Sequence, residues 1–215
     1  VELVKELNKG GITLAVGDGA NDVSMIQGAH VGVGIRGKEG NQAVQASDVA
    51  LSQFRFLVPL LLCHGRRAYR RVSLYLCYYI YKHIVLATGD MVWAHQFRFR
   101  GEIAYPEWLS AAFPAILTGL PIIVIAGFDM DLPDEVACQS PELYVEGLER
   151  MCFNARIFTG WMLSAVFHGS LAWVLPSWLA ADWSTEHTKD SPTAFWVGST
   201  CSFVVVIIYV NLRLW

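Results

Sequence analysis

Three polar side chains suited to phosphate chemistry lie close together near the start of the chain. Asp18, Asn21 and Asp22 belong to the hexapeptide GDGAND, which directly follows an apolar segment. Mg²⁺ prefers oxygen ligands and is usually held by one or two carboxylates together with phosphate oxygens. An asparagine beside these carboxylates can donate a hydrogen bond to an anion without adding charge. The pattern predicts the metal-binding part of a phosphoryl-transfer site, with an ordinary glycine-aspartate turn as the alternative.

Lys82 is the second residue that could do chemistry. It lies in the middle of a mostly apolar segment, residues 72–94. A lysine in the membrane interior costs about 2.5–3.5 kcal/mol on insertion scales, and such residues usually have a function. We therefore predict that Lys82 has a functional role. Pairing with a carboxylate on a neighbouring helix, or extension of the side chain to the membrane interface, are the alternatives.

The sequence around the carboxylates alternates between two kinds of element. It predicts strands at residues 12–16, 31–35 and 49–51, helices at 21–29 and 41–47, and a loop at 37–40. Such alternation is typical of an α/β fold with a parallel sheet. The GDGAND turn would lie at the carboxyl edge of that sheet, where α/β proteins bind ligands. The region is short for a whole domain, so residues 1–62 are predicted to be the C-terminal part of one.

The rest of the chain has the composition of a membrane protein. Hydrophobic residues make up 54% of the sequence and charged residues 16%, whereas soluble domains carry about 25% charged residues. Uncharged stretches approach the roughly 20 residues that a helix needs to cross a bilayer. We predict a membrane domain at 63–215 with spans near 72–94, 108–128, 157–181 and 194–215. Lys82, His83 and Asp90 interrupt the first of these, so an amphipathic helix on the membrane surface is an alternative for it.

A cluster of arginines sets the expected topology. It precedes the first predicted span and contains Arg66, Arg67, Arg70 and Arg71. Because positively charged flanks stay in the cytoplasm, residues 1–62 and the loop 129–156 are predicted to be cytoplasmic. The loops 95–107 and 181–193 would then face the opposite side of the membrane.

The net charge, the acidic loop, His168 and the cysteines are interpreted without a catalytic or binding role. The net charge of −3 argues against a nucleic-acid partner. The aspartates at the start of the loop 129–156 are predicted to be solvated charges; they are Asp129, Asp131 and Asp134. His168 lies in an apolar stretch and is predicted to be a packed core residue. The five cysteines show no CxxC spacing and are expected to be reduced thiols.

Sequence motifs along nearly the whole chain resemble one family. GDGANDVSMI at 17–26 resembles the last conserved motif of the haloacid-dehalogenase superfamily. AHVGVGIRGKEGNQAVQASDVALSQFRFL at 29–57 is more selective, and it resembles the type IV P-type ATPases, the phospholipid flippases. Further similar segments follow in the same order: LLLCHGRRAYRR (60–71), YYIYKHIVL (78–86), GLPIIVIAGFDMD (119–131), PELYVEG (141–147), FNARIFTGW (153–161) and VNL (210–212).

This resemblance implies an ATP-driven enzyme that moves phospholipids between bilayer leaflets through an aspartyl-phosphate cycle. The nucleophile loop, the actuator and nucleotide domains and four spans would precede Val1, and two spans would follow Trp215. The isolated chain is therefore expected to be inactive. The implied fold is the C-terminal part of an α/β haloacid-dehalogenase-like phosphorylation domain followed by about four transmembrane helices.

The resemblance also assigns roles to individual residues and partners. It implies Mg²⁺ as cofactor and ATP as substrate of the full-length parent, with Asp18 as metal ligand and Asp22 as its supporting carboxylate. Asn21 would be a cofactor-binding residue that steadies the acyl-phosphate site. Lys82 would couple the binding of the lipid headgroup to dephosphorylation. The implied partners are a phospholipid substrate and a small two-span glycosylated accessory subunit, in a Golgi, endosomal or plasma membrane.

One departure from the family pattern lies in the second predicted span. The family commonly has an asparagine seven residues before the proline of its Leu-Pro pair, and this chain has Pro114 there, followed by Pro121. Two prolines predict a break or kink in this helix. Loss of the polar side chain is expected to affect the selection of the headgroup.

Two other functions remain as alternatives at this point: a cation-transporting P-type ATPase, and a catalytically dead truncated membrane protein. Cation pumps need carboxylates and amides in their spans to replace the water around the ion. Residues 108–128 and 157–181 contain no Asp, Glu, Asn or Gln, and residues 194–212 contain Asn211 alone. The sequence thus favours a lipid over a metal ion as the transported substrate.

Overall fold

The computed structural model describes residues 1–7, 11–37, 41–96, 98–99, 101, 103–183 and 192–214. It divides into two compact units. The first unit contains Val1–Gly65 and Pro133–Leu143, and the second contains Arg66–Leu132 and Tyr144–Trp215. The division thus falls three residues beyond the predicted end of the α/β region. Part of the loop 129–156, Pro133–Leu143, belongs to the first unit.

The described helices are α1 (Glu2–Leu7), α2 (Val23–Gly28), α3 (Gln42–Ala46), α4 (Leu57–Pro59), α5 (Arg66–Gln96), α6 (Glu107–Ala112), α7 (Gly119–Phe128), α8 (Asp134–Gln139), α9 (Val145–Leu148), α10 (Ala155–Trp183) and α11 (Pro192–Leu212). The strands are β1 (Leu14–Gly17), β2 (Val31–Ile35) and β3 (Val49–Leu51). Among the described residues there are also two π-helical turns, at Leu60–Gly65 and Phe113–Leu117.

The first unit is built on a parallel sheet with the strand order β1-β2-β3. The second and third strands have the predicted bounds. The first strand begins two residues later than predicted, because pairing with β2 starts at Leu14 opposite Val31, while Ile12 is exposed. The predicted helix 21–29 is shorter, since a 3₁₀ turn at Ala20–Asp22 precedes α2. Residues 38–40 of the predicted loop lie outside the described residues.

The end of the first unit consists of short helical segments. A 3₁₀ turn at Phe54–Phe56 leads into α4, and the first π-helical turn follows directly. Helix α8 packs against this π-helical turn and against α4. The chain therefore brings a piece of the loop after α7 onto the segment that precedes α5.

The second unit is a helical assembly in which α5 packs along α10, and α10 packs along α11. Its buried core contains large side chains from three of these helices and from the second π-helical turn, including Tyr81, Trp173, Phe203 and Phe113. The contact between α5 and α10 is close at Gly169. A Cβ there would lie 2.5 Å from the carbonyl oxygen of Val85, so only glycine fits without displacing the backbone.

Within the described residues, two segments are long and apolar enough to cross a bilayer, Glu107–Phe128 and Ala155–Pro176. They overlap the second and third predicted spans, 108–128 and 157–181. Leu163 and Phe167 on one segment and Ile123 on the other are more than half exposed, as expected for side chains facing lipid. Trp196–Leu212 is a shorter apolar helix. The spans near 72–94 and 194–215 stay predictions, and α5 extends beyond the former at both ends.

Candidate functional site

The carboxylate turn in the first unit is organised by Asp22. Its Oδ2 atom accepts hydrogen bonds from the backbone N–H groups of Asp18, at 3.1 Å, and of Gly19, at 3.3 Å. A Cβ at Gly17 would lie 2.4 Å from the Cβ of Asp22, so glycine is needed where the last residue of β1 meets this side chain. Asp22 therefore holds the backbone of the turn in place.

Asp18 and Asn21 are exposed on the same turn. Asp18 immediately follows β1, at the carboxyl edge of the parallel sheet. This is the edge at which open α/β sheets bind ligands. The structure thus brings together the three residues that the sequence singled out, with Asp22 half-buried and the other two accessible.

The residues present fit a Mg²⁺ ion that is shared with a phosphate. Mg²⁺ is commonly bound by one or two carboxylates, with phosphate oxygens and water as the remaining ligands. Asp18 has an accessible carboxylate, and Asp22 has one oxygen committed to the turn. The described part of the chain contains no group of three or more His, Cys, Asp or Glu residues arranged to hold a metal. The two carboxylates suit an ion that takes its remaining ligands from phosphate oxygens and water.

Lys82 is buried within the second unit. Its side chain is 2% exposed, and its Nζ donates hydrogen bonds to the carbonyl oxygen of Pro114 and to the Oγ1 of Thr118, each at 3.1 Å. The Nζ also lies 5.4 Å from the ring centroid of Tyr79, within the range of a cation–π contact. The burial rules out extension to the membrane interface. Within the described residues Lys82 forms no ion pair, so its charge is held by uncharged oxygens and a ring.

The partners of Lys82 are available because the helix is broken beside Pro114. The N–H of Thr118 bonds to the carbonyl of Phe113, five residues back, rather than to that of Pro114, four residues back. The carbonyl of Pro114 is thereby released from the regular helical pattern, and Lys82 binds it. The hydroxyl of Tyr78 donates to the carbonyl of Thr118, at 3.2 Å.

The second proline, Pro121, leaves one backbone carbonyl without a donor, and a side chain from α11 binds that carbonyl. Pro121 has no N–H, so the carbonyl four residues earlier, that of Leu117, loses its helical donor. The Nδ2 of Asn211 donates to this carbonyl at 3.2 Å. Unsatisfied backbone groups in hydrocarbon cost several kcal/mol each, so Asn211 stabilises the broken segment.

The predicted break is confirmed, but Pro121 does not cause it. The chain leaves the α-helical pattern at residues 113–118, beside Pro114. Pro121 lies in the first turn of α7, where a missing N–H is tolerated. Sequence reasoning did not identify Thr118 and Asn211 as parts of the site. The two prolines were the available signal. The π-helical turn beside Pro114 releases the carbonyl of Pro114, and the missing N–H of Pro121 releases the carbonyl of Leu117, so each of these carbonyls needs a polar partner.

An arginine–carboxylate cluster lies at the start of α5. Arg66 Nη2 lies 2.8 Å from Asp131 Oδ2 and 3.2 Å from Glu146 Oε2. Arg70 Nη1 approaches the same two carboxylates at 3.3 and 3.4 Å. Asp131 was predicted to be a solvated charge, and the residue is exposed, but its carboxylate also pairs with both arginines. The sequence could not reveal this pairing, since the partners come from three separate segments.

The cluster alters the ionisation of Asp131. Partial burial alone would raise the pKa of this carboxyl, but the hydrogen bond from Arg66 and the charges of Arg70 and Arg66 outweigh it. The pKa of Asp131 therefore lies below its ordinary value. Asp131 stays ionised and paired at neutral pH.

His168 on α10 has the character of a packed core residue. Its Nδ1 lies 2.7 Å from the hydroxyl of Tyr81, and its ring stacks on Tyr209 with centroids 5.4 Å apart. These contacts join α5, α10 and α11. They agree with the interpretation of His168 as structural.

Comparison with known proteins identifies the family. Residues 44–215 match the family described as the phospholipid-translocating P-type ATPase C-terminal region. The chain is 38% identical over 213 residues to phospholipid-transporting ATPase ID of Homo sapiens, an alignment that covers 96% of this chain and 17% of that protein. It is 41% identical over 165 residues to phospholipid-transporting ATPase 10 of Arabidopsis thaliana, covering 75% of this chain and 14% of that protein.

These comparisons agree with the resemblance that the motifs carry. The chain spans less than a fifth of the length of the curated relatives that it matches. The family match covers the end of the first unit and the whole of the second. The chain therefore belongs to the phospholipid-translocating P-type ATPase family and corresponds to its C-terminal region.

Proposed function

We propose that this chain is part of an ATP-driven flippase that moves phospholipids between the leaflets of a membrane. One observation carries the proposal: the ammonium group of Lys82 is buried beside a broken membrane segment and bound to neutral oxygens. A fixed positive charge repels a metal cation. It suits the phosphate or carboxylate of a lipid headgroup that passes along the protein while its acyl chains stay in the bilayer.

The first unit supplies part of the phosphorylation site in this proposal. It would be the C-terminal part of a haloacid-dehalogenase-like domain, with Asp18 as the ligand of Mg²⁺ and Asp22 as the residue that supports the turn. Asn21 would steady the phosphorylated aspartate, which belongs to a part of the parent outside this sequence. Bound Mg²⁺ would neutralise phosphate charge during phosphoryl transfer. The accessible position of Asp18 at the sheet edge supports this assignment.

The second unit supplies four spans, near residues 72–94, 108–128, 157–181 and 194–215. Helix α5 has 31 residues, long enough to cross a bilayer, and it packs along α10. The arginines that precede the first span put the first unit and the loop 129–156 in the cytoplasm. A small two-span glycosylated subunit and a Golgi, endosomal or plasma-membrane location complete the proposal by family resemblance.

This function can be tested on the full-length parent after it is reconstituted into vesicles. Fluorescent phospholipids should cross the bilayer only when ATP and Mg²⁺ are present, and phospholipids should accelerate loss of the phosphoenzyme. Lys82→Ala should abolish this acceleration. Met91→Ala on the same helix is the matched control, since Met91 is 73% exposed, and it should leave transport unchanged. ATPase activity that responds to a metal cation and to no phospholipid would contradict the proposal.

A further inference from the structure

Two cysteines from distant parts of the first unit bring their sulfur atoms into contact. Cys63 belongs to the π-helical turn Leu60–Gly65, and Cys138 belongs to α8, 75 residues further along the chain. Their Sγ atoms lie 2.8 Å apart. The Sγ of Cys63 also donates a hydrogen bond to the carbonyl of Asp134, at 3.3 Å, in the first turn of α8.

The surroundings hold this pair together. Cys63 is 3% exposed, and Ala137 beside Cys138 is 5% exposed, so the contact belongs to a packed interface between α8 and the π-helical turn. Cys138 itself is half-buried, which leaves one member of the pair accessible to a small reagent. An S–S bond of about 2.05 Å requires the sulfurs to approach by only about 0.8 Å. No S–S bond joins the two sulfur atoms in this structure.

We propose that Cys63 and Cys138 form a thiol modification site that closes to a disulfide when hydrogen peroxide reaches it. One thiolate attacks the peroxide oxygen, which breaks the O–O bond, releases water and leaves a sulfenic acid. The second thiol attacks this sulfur and releases a second water, which forms the S–S bond. The two thiols together give up two electrons and two protons, and hydrogen peroxide is reduced to two molecules of water.

The modification would be reversible in a reducing compartment. Disulfides in the cytosol are usually transient, because thiol–disulfide exchange returns them to the reduced form. Under the topology proposed above, both cysteines face the cytoplasm. The thiols would then be reduced at rest and join only under oxidative conditions.

The bond would have a mechanical consequence. It ties α8 to the π-helical turn, which is the chain segment between the sheet and α5. A cross-link between residues this far apart in sequence removes much of the freedom of the loop that it closes. We expect the oxidised form to lose ATPase activity because this segment can no longer shift against α8; this consequence rests on the proposed function.

The thiol site can be tested on the full-length parent in native membranes, without any measurement of activity. Hydrogen peroxide should produce a linked peptide pair containing Cys63 and Cys138 in mass spectrometry, and dithiothreitol should remove it. Alkylation with a maleimide–polyethylene glycol reagent should show two fewer accessible thiols after oxidation, under denaturing conditions. This decrease in thiol number should be absent from three variants: Cys63→Ser, Cys63→Ala and Cys138→Ser. It should persist in the control variants Cys152→Ser and Cys201→Ser. Independent alkylation of Cys63 and Cys138 after oxidation, or their linkage to other cysteines, would overturn the proposal.

A separate measurement tests the consequence for activity. Phospholipid-stimulated ATPase of the unmodified parent should fall on oxidation and recover with dithiothreitol, while Cys138→Ser should be insensitive to peroxide. Equal inhibition of Cys138→Ser and unmodified parent would overturn the regulatory role. A parent without phospholipid-stimulated ATPase before oxidation would contradict the proposed function, and the thiol measurements would still decide whether the disulfide forms.

Discussion

The Nζ of Lys82 lies 3.1 Å from the carbonyl oxygen of Pro114, an oxygen that the π-helical turn releases from the regular helical pattern. This contact joins a charged residue on α5 to the break in the next membrane segment. The hydroxyl of Thr118 completes the arrangement, since it accepts from Lys82 and donates to the carbonyl of Phe113. A change in the position of Lys82 must therefore alter the hydrogen bonds of the broken helix.

Thr118→Val tests this coupling. The substitution nearly preserves the volume of the side chain but removes the hydroxyl, so a buried hydrogen-bonding partner of the Lys82 ammonium is lost. A hydrogen bond to a charged group contributes about 1.5–3 kcal/mol, and we expect the concentration of phospholipid required for half-maximal ATPase of the parent to change. Thr118→Ser retains the hydroxyl and should behave like the unmodified parent. Identical lipid dependence for Thr118→Val would show that the hydroxyl does not position Lys82.

Asn211→Leu tests the stabilisation of the second released carbonyl. The carbonyl of Leu117 would lose the Nδ2 donor in a partly buried environment, at a cost of up to about 1–3 kcal/mol. The thermal midpoint of the detergent-solubilised parent should fall. Thr200→Val changes an exposed residue of the same helix and is the control; an equal midpoint for both variants would contradict the role of Asn211.

Asp131→Asn tests the charge cluster and its pH dependence. Since the pKa of Asp131 is lowered in the folded protein, its ion pairs stabilise the fold above the ordinary aspartate pKa of about 3.9 and are lost as the pH falls through the folded value. Unmodified parent should unfold at a higher denaturant concentration than Asp131→Asn at neutral pH, and the difference should vanish under strongly acidic conditions. Glu142→Gln, in an exposed position of the same loop, should show no such difference. A difference that persists at low pH would point to a cause other than charge.

Asp18→Asn tests the proposed metal ligand. Removal of the carboxylate charge should abolish phosphoenzyme turnover in the full-length parent, because charge neutralisation by Mg²⁺ carries much of phosphoryl transfer. The amount of phosphoenzyme formed from labelled ATP and its rate of decay are the measurements. Glu6→Gln changes an exposed carboxylate of the same unit and should be silent. Near-normal turnover of Asp18→Asn at ordinary Mg²⁺ concentrations would show that another carboxylate binds the metal.

The topology can be checked by labelling single introduced cysteines with a membrane-impermeant maleimide. Residues 98–104 and 183–190 should react from the outer or lumenal side, and residues 135–150 from the cytoplasm. Most of residues 183–190 lie outside the described residues, so the experiment also probes a segment for which the structure gives no contacts. Lumenal labelling of residues 135–150 would show that the predicted number of spans before them is wrong.

The sequence by itself determined the features that depend on local pattern. The alternation of short apolar segments with helices predicted the parallel sheet, because strand and helix periodicities are visible within a few residues. The GDGAND turn identified Asp18, Asn21 and Asp22 as neighbours, since they are close along the chain. Uncharged stretches indicated the membrane segments, and the motif order along the chain identified the family.

Only the tertiary structure decided which distant residues meet. The contacts of Lys82 with Thr118, and of Arg66 with Asp131, depend on the rotation and register of helices, which hydrophobic pattern alone leaves open. The start of β1 depends in the same way on where its pairing with β2 begins. A charge that looks solvated in the sequence can thus be paired, because its partner approaches through folding and not along the chain.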